Sequence, residues 1–509
     1  MLLHEDLERA TASRPGHAAL ICAGRTLTYA EIDAASTHLA RHLIANGCMR
    51  NSRVAIYLGN MPETVIAMYA TWKAGGAVVP FGTVMPVERF ERQVRHCSAD
   101  IVIARGAKAR PIVTTLSASG ELPRFIWVGD VPEGTPGTPF AQAAAPDVHS
   151  RVALPHDLTP NDLAAIIYTS GSSGAPKGVM HTHGTFDAAL TSVVEYLGNN
   201  RDDIILSVLQ LNFSYGILQL LATFRTQATL VLENGFGYPY EVVKQFPRYG
   251  VTGFAGAPTI WAMLLQLKDV GPAEFATVRY ITNAAAAIPA PFVPQLAALF
   301  TNARIFLMHG MTEVFRTAYL PPDEVLTNPT SIGPPMRGVS LWLEDDDGAL
   351  VPPGEVGELV IGGPTVMKGY WNDQAATDRI LRRSRHAPER AIYSGDLFRM
   401  DDRGYFYFVA RKDDVIKSRG EKVSPVEVEA VLYQMPDIAE CRVIGVPDAL
   451  LGNTIVAEIV LKPDRTLDDR AVKAHCTRHL EPFKVPQEVR FVASLPKTEG
   501  GKVVRAQKT

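Results

Sequence analysis

One lysine, four hydroxyl side chains and three glycines crowd into the eleven residues 168–178, YTSGSSGAPKG, directly behind the apolar run LAAII. Such a loop can surround phosphate oxygens with the backbone N–H groups and hydroxyls of Thr169, Ser170, Gly171, Ser172, Ser173 and Gly174, while Lys177 adds positive charge. It is not a Walker A loop, because Gly178 stands where that motif needs a Ser or Thr to reach magnesium. A disordered Gly/Ser linker is the competing reading, and the apolar strand in front of it together with the embedded Pro-Lys-Gly argues against it.

Other groups capable of chemistry are scattered downstream: Thr312 and Glu313 in HGMTE (309–313), Asp396 in YSGD (393–396), Arg411 and Asp413 in RKDDVIK (411–417), and Lys502 in a Gly-Gly-Lys turn. Taken singly, each has an ordinary explanation as a surface carboxylate, a turn, a charged junction or a solvated lysine. Their weight depends on whether the fold gathers them.

The elements that must do so are legible as short apolar runs. RVAIYLGN, GGAVVPF, ADIVIARG, LAAIIYTS, ATLVLEN, VTGFAGAP, RYITNAA and ARIFLMHG each read as a buried strand ending in small or polar residues, with helix-compatible segments between most of them. That rhythm predicts an α/β protein of layered sheets, with ligands at the carboxyl ends of the strands. From Ser331 to Ala410 the pattern becomes short alternating segments with Gly and Pro turns, as in a smaller antiparallel or barrel-like β unit. After Arg411 comes a compact α+β alternation whose first helix is capped by Ser424 and opened by Pro425. The expected division is a large N-terminal domain, 1–411, and a small mobile α+β C-terminal domain, 412–509.

Composition narrows the class. The 509 residues are 47% apolar, and 50 Lys+Arg against 53 Asp+Glu leave a net charge of −3, without the basic excess that nucleic-acid binding requires. Five dispersed cysteines, none in CxxC spacing, fit neither a disulfide framework nor a zinc cluster. Charged residues near the N-terminus leave no room for a signal peptide there, so a reducing cytoplasm is expected. Residues 204–224 carry no formal charge over about the length of a membrane span, but Gln210, Asn212, Ser214 and Gln219 make a buried strand and helix the better reading.

Residues 169–178 carry in full the signature [Thr/Ser]-Ser-Gly-[Ser/Thr]-[Ser/Thr]-Gly-x-Pro-Lys-Gly, and with it the chain resembles the adenylate-forming superfamily of acyl-CoA synthetases, luciferases and adenylation domains of nonribosomal peptide synthesis. HGMTE, YSGD, the stretch from Gly404-Tyr-Phe to Lys417, Gly420-x-Lys-Val-Ser-Pro-x-Glu-Val-Glu429 and Pro496-Lys-Thr-x-x-Gly-Lys502 follow in family order over nearly the whole chain. The resemblance implies ATP and Mg2+ as cofactors. Thr312 would offer a hydroxyl to the α-phosphate and Glu313 an oxygen to magnesium. Asp396 would accept hydrogen bonds from the ribose, and Arg411 would contact ribose or phosphate. Ala285 and Ala286 would underlie adenine, with His309, Gly310 and Met311 beside it; His309 replaces the tyrosine usual in the family. Lys502 would align the substrate carboxylate and stabilise charge on the α-phosphate. Asp413 takes the hinge position about which the C-terminal domain swaps the Lys502 face for the Gly420 loop, which lines the thiol tunnel.

For the acid itself, residues 211–216 (LNFSYG) resemble the pocket motif in which amino-acid-activating members have Phe-Asp. Here the pair is Phe213-Ser214, and a neutral hydroxyl does not offset a buried ammonium. Phe213, Tyr215 and Ala284 suggest a mainly apolar pocket; Asn212 is either a displaced polar anchor or a core amide. Arg316 either meets a polar or anionic substrate group or pairs with Asp323 or Glu324. The expected activity is an AMP-forming acid-thiol ligase: a carboxylic acid, aryl or acyl, is adenylated with loss of pyrophosphate and passed to coenzyme A or to the phosphopantetheine of an acyl or peptidyl carrier protein acting in trans. The alternatives are a stand-alone amino or β-amino acid adenylation enzyme and an inactive nucleotide-binding homologue.

Overall fold

A computed structural model describes residues 1–118, 122–146, 152–170, 176–387, 389–418, 421–448, 452–497 and 503–504. In strand Arg53–Tyr57 the side chains alternate between two cores: Val54 and Ile56 face one, Ala55 and Tyr57 the other. This period of two, with both faces apolar, is what a strand in the middle of a covered parallel sheet requires. The strand belongs to an eight-stranded sheet that runs from Gly369–Tyr370 through Pro176–Thr182, Leu163–Ser170, Ala77–Pro80, Arg53–Tyr57, Ile101–Arg105 and Arg124–Val128 to Thr138–Pro139. The first two joins are antiparallel and the rest parallel.

A second eight-stranded sheet runs from Ala318–Leu320 through Arg304–His309, Tyr280–Asn283, Gly253–Gly256, Ile204–Ser207, Thr229–Leu232 and Ala18–Cys22 to Arg25–Thr28. Helices Leu3–Ser13, Tyr29–Ala45, Pro62–Lys73, His183–Leu197 and Ser214–Arg225 share one core with the inner faces of both sheets. Helix Tyr29–Ala45 starts where the sequence asks: the Thr28 hydroxyl accepts from Glu31 N–H at 3.2 Å and Glu31 returns a bond to Thr28 N–H at 2.7 Å. Outer helices cover the other faces, giving layered α/β sheets as expected. The uncharged stretch 204–224 is strand Ile204–Ser207 followed by helix Ser214–Arg225, buried from Tyr215 to Phe224. Among the described residues no helix is long and apolar enough to cross a membrane.

The antiparallel unit is a six-stranded sheet in which Val356–Gly362, Arg390–Met400 and Phe406–Arg411 are neighbours. Beyond it, helices Pro425–Leu432 and Asp469–His479 pack a separate core against the three strands Ile438–Asp448, Gly452–Leu461 and Glu488–Phe491. Ser424 caps the first of these helices through Glu427 N–H, with Pro425 at its first position.

Candidate active site

Strands Leu163–Ser170 and Pro176–Thr182 are antiparallel neighbours that pair Tyr168 with Gly178 and Thr169 with Lys177. Gly171, Ser172, Ser173 and Gly174 fall outside the described residues, as do Lys502 and Gly420. Close approach explains Gly178: a Cβ there would lie 2.7 Å from Ile166 Cγ2.

The neighbouring edge strand, Gly369–Tyr370, brings in a residue that the sequence reading did not single out. Tyr370 pairs with Val179, its ring lies 5.2 Å from Lys177 Nζ, and its hydroxyl donates to Glu313 Oε1 at 2.8 Å. A chain of contacts therefore runs from Lys177 through Tyr370 to Glu313. Burial, and then the Glu313 charge, push the Tyr370 phenol above its ordinary pKa and hold it as a donor. Glu313 is only 9% exposed, and its Oε2 has no hydrogen-bond partner among the described residues. No group of three or more metal-ligating side chains occurs among the described residues. Magnesium, which is commonly held by one or two carboxylates together with substrate phosphates, fits this arrangement.

Thr312 is positioned from below. His181 is fully buried, stacks on Phe315 at 3.9 Å, and its Nε2–H donates to the Thr312 carbonyl at 2.7 Å. Burial holds the His181 pKa down to about 4, so the imidazole is neutral. His4 and His183, at about 4 and about 3, are depressed chiefly by the same cause. Each folded value lies below the ordinary 6.5, so the stability these groups contribute is complete above that pH and is lost as pH falls toward 4. We expect the urea midpoint to fall between pH 6.5 and 4, with His181 alone contributing on the order of 3 kcal/mol. His181→Gln should flatten the slope; an unchanged slope would assign the acid sensitivity elsewhere.

The loop from His309 to Ala318 joins two antiparallel strands and closes on itself. Thr317 N–H donates to His309 O at 3.0 Å, and a Cβ at Gly310 would lie 1.9 Å from the Phe315 carbonyl oxygen. Gly310→Ala must therefore open the loop. The expected cost is about 1–3 kcal/mol, with weakened ATP binding, measured by thermal melting and nucleotide titration. Within this loop Met311 is half-buried. His309 Nδ1 lies 2.7 Å from Thr317 Oγ1, with the Phe398 ring edge-on at 5.4 Å.

The other residues expected at the nucleotide sit on other elements. Ala285 is exposed with φ +74° and Ala286 is half-buried, both just past strand Tyr280–Asn283. Asp396 and Arg411 are cross-strand partners, with Arg411 Nε 2.8 Å from Asp396 Oδ1. Asp413 is exposed in the turn immediately after strand Phe406–Arg411.

In the acid-pocket segment, Phe213 and Ser214 are half-buried at the start of helix Ser214–Arg225, and Tyr215 donates or accepts at Thr282 Oγ1, 2.6 Å away. Ala284 is buried. The Asn212 amide approaches the Gly82 backbone, and its side chain makes no hydrogen bond among the described residues, which does not fit a satisfied core amide. Glu324 pairs with Arg403 and accepts from Tyr405, so it is not the partner of Arg316.

Residues 7–371 match the model of the AMP-binding enzyme family, and residues 427–502 that of the AMP-binding enzyme C-terminal domain. The chain is 32% identical to a feruloyl-CoA synthase of Amycolatopsis sp, covering 98% of this chain and 95% of that one. It is 28% identical to a long-chain-fatty-acid–CoA ligase of Bacillus subtilis, covering 99% and 93%. The solved structure of ATP-bound MatB from Rhodopseudomonas palustris superposes with a TM-score of 0.88 at 27% identity, covering 99% and 97%.

Proposed function

The chain belongs to the AMP-binding enzymes, the adenylate-forming superfamily in its acyl-CoA synthetase branch, and on that premise we propose that it activates a non-amino carboxylic acid with Mg2+ and ATP and transfers the acyl group to coenzyme A. The observation that carries this reading is the Lys177–Tyr370–Glu313 chain, in which a lysine and a buried carboxylate meet one phenol and which supports a phosphate and magnesium site there. In the first step a carboxylate oxygen attacks the α-phosphorus, the bond to the α,β-bridging oxygen breaks, and pyrophosphate leaves. Thr169, Ser170, Lys177 and residues 171–174 hold the phosphates, and Thr312 binds the α-phosphate. Glu313, together with the phosphates, would hold magnesium, which would supply charge neutralisation when bound. Lys502 aligns the acid.

In the second step the thiol sulfur attacks the acyl carbon, its proton passes to solvent, and AMP leaves. Residues 412–509 move as a unit about Asp413, bringing the Gly420 loop to the site between the two steps. A trans-acting carrier protein presents the same pantetheine arm; the relatives named as CoA ligases favour coenzyme A. Those relatives act on acids as different as ferulate and long-chain fatty acids, so their names do not fix the acid here. Ser214 at the position of the amino-group carboxylate disfavours amino acids. Five free, buried cysteines suit a cytoplasmic setting.

The test is pyrophosphate release from Mg-ATP across aryl, short, medium and long acyl, and amino acids, followed by thioester formation on adding coenzyme A. Silence across the panel with ATP bound would overturn the reading in favour of a non-catalytic nucleotide binder. His309 adds a narrower expectation. An imidazole bordering adenine should make the ATP KM depend on pH between 6 and 8, and His309→Tyr should remove that dependence; superimposable profiles would refute it.

A further inference from the structure

Arg316 is 5% exposed, yet no carboxylate pairs with it among the described residues. One terminal N–H turns back to the adjacent Phe315 carbonyl at 3.1 Å, and the guanidinium lies 4.3 Å over the Tyr215 ring. Of the nearest acids in sequence, Glu324 is engaged by Arg403 and Tyr405 and Glu313 by Tyr370, while Asp323 is exposed and does not pair with Arg316. The groups its charge reaches include the buried phenols of Tyr196 and Tyr215. Cation–π contact offsets part of the desolvation of a guanidinium, but it leaves most of the fork's N–H donors unmet.

Its position gives that missing acceptor an identity. Tyr215 belongs to the helix that starts at Ser214, and its hydroxyl is tied to Thr282, two residues before Ala284. Arg316 thus stands among the residues assigned to the acid pocket, three positions beyond Glu313 on the same closed loop. We propose that Arg316 is the specificity-determining residue of this pocket and that it binds a second anionic group on the substrate, so that the preferred acids are dicarboxylates. The inference rests on the ligase reading above. One carboxylate of such an acid is adenylated; the other, planar and bidentate, meets the guanidinium fork and keeps its charge.

The experiment measures pyrophosphate release by the full chain with Mg-ATP for matched pairs: propanoate and malonate, butanoate and succinate, pentanoate and glutarate, hexanoate and adipate, benzoate and phthalate. For at least one pair the dicarboxylate should exceed its monoacid by about 100-fold in kcat/KM. Arg316→Met should lose about that factor on the dicarboxylate relative to its matched monoacid, mainly through KM, and Arg316→Lys should recover part of it. Monoacids preferred by the wild type, or equal losses on both members of a pair, would overturn the proposal and leave Arg316 as packing beneath Tyr215. The wild-type ratio decides even if Arg316→Met does not fold. Activity on monoacids alone leaves the ligase reading standing and removes this one, whereas silence with every acid removes both.

Discussion

Glu313→Gln is expected to lower acid-dependent pyrophosphate release by about 10^2–10^3-fold while leaving the protein folded. Glutamine keeps the size of the side chain, and its amide oxygen can still accept from the Tyr370 hydroxyl that now donates to Oε1 at 2.8 Å. What it removes is the charge, and with it the anionic Oε2 that faces no protein donor among the described residues. The Mg2+ concentration for half-maximal activity should rise together with the loss. Tyr370→Phe should have the milder effect, because it leaves the carboxylate in place and removes only its orienting bond. Wild-type turnover in Glu313→Gln would take the carboxylate out of the metal role.

Lys502→Ala should separate the two half-reactions. Adenylation is expected to fall by about 10^2–10^3-fold, since the ammonium proposed to stabilise the developing charge is lost. Thioester formation from acyl-adenylate supplied directly should be unchanged, because that step is proposed to use Gly420 and not Lys502. Gly420→Leu should do the reverse, with normal pyrophosphate release and blocked transfer to coenzyme A. If Lys502→Ala slowed both steps equally, the exchange of faces about Asp413 would be wrong.

The sheets were legible because their strands are buried on both sides, which forces continuous apolar runs such as Val54–Tyr57 and makes strand positions hard to mistake. The uncharged stretch 204–224 could be resolved into strand and helix because Gln210 and Asn212 fall where the chain turns between them and Ser214 opens the helix, while Gln219 is buried within it. Motifs single out Thr312, Glu313, Asp396 and Arg411, whereas nothing local points to Tyr370 or His181, and the reason is physical. Tyr370 lies in a two-residue strand, too short for any periodicity, and its partner Glu313 is 57 positions away. His181 reaches Thr312 across 131 positions. Likewise, local sequence left Arg316 open to Asp323 or Glu324, and only the fold gives Glu324 to Arg403, 79 residues on.

The close fit of Gly310 against Phe315 has a consequence for anyone seeking to retarget the protein to new acids. Thr312, Glu313 and Arg316 sit inside one closed loop whose two ends leave no slack, so reshaping the pocket from Arg316 also disturbs the machinery of turnover. Tyr215 and Ala284, also proposed for the acid pocket, belong to a helix and a strand end outside that loop. New acid ranges should therefore be easier to select at Tyr215 and Ala284, where variation is decoupled from turnover, than at Arg316, where each gain in selectivity is tied to a loss of rate.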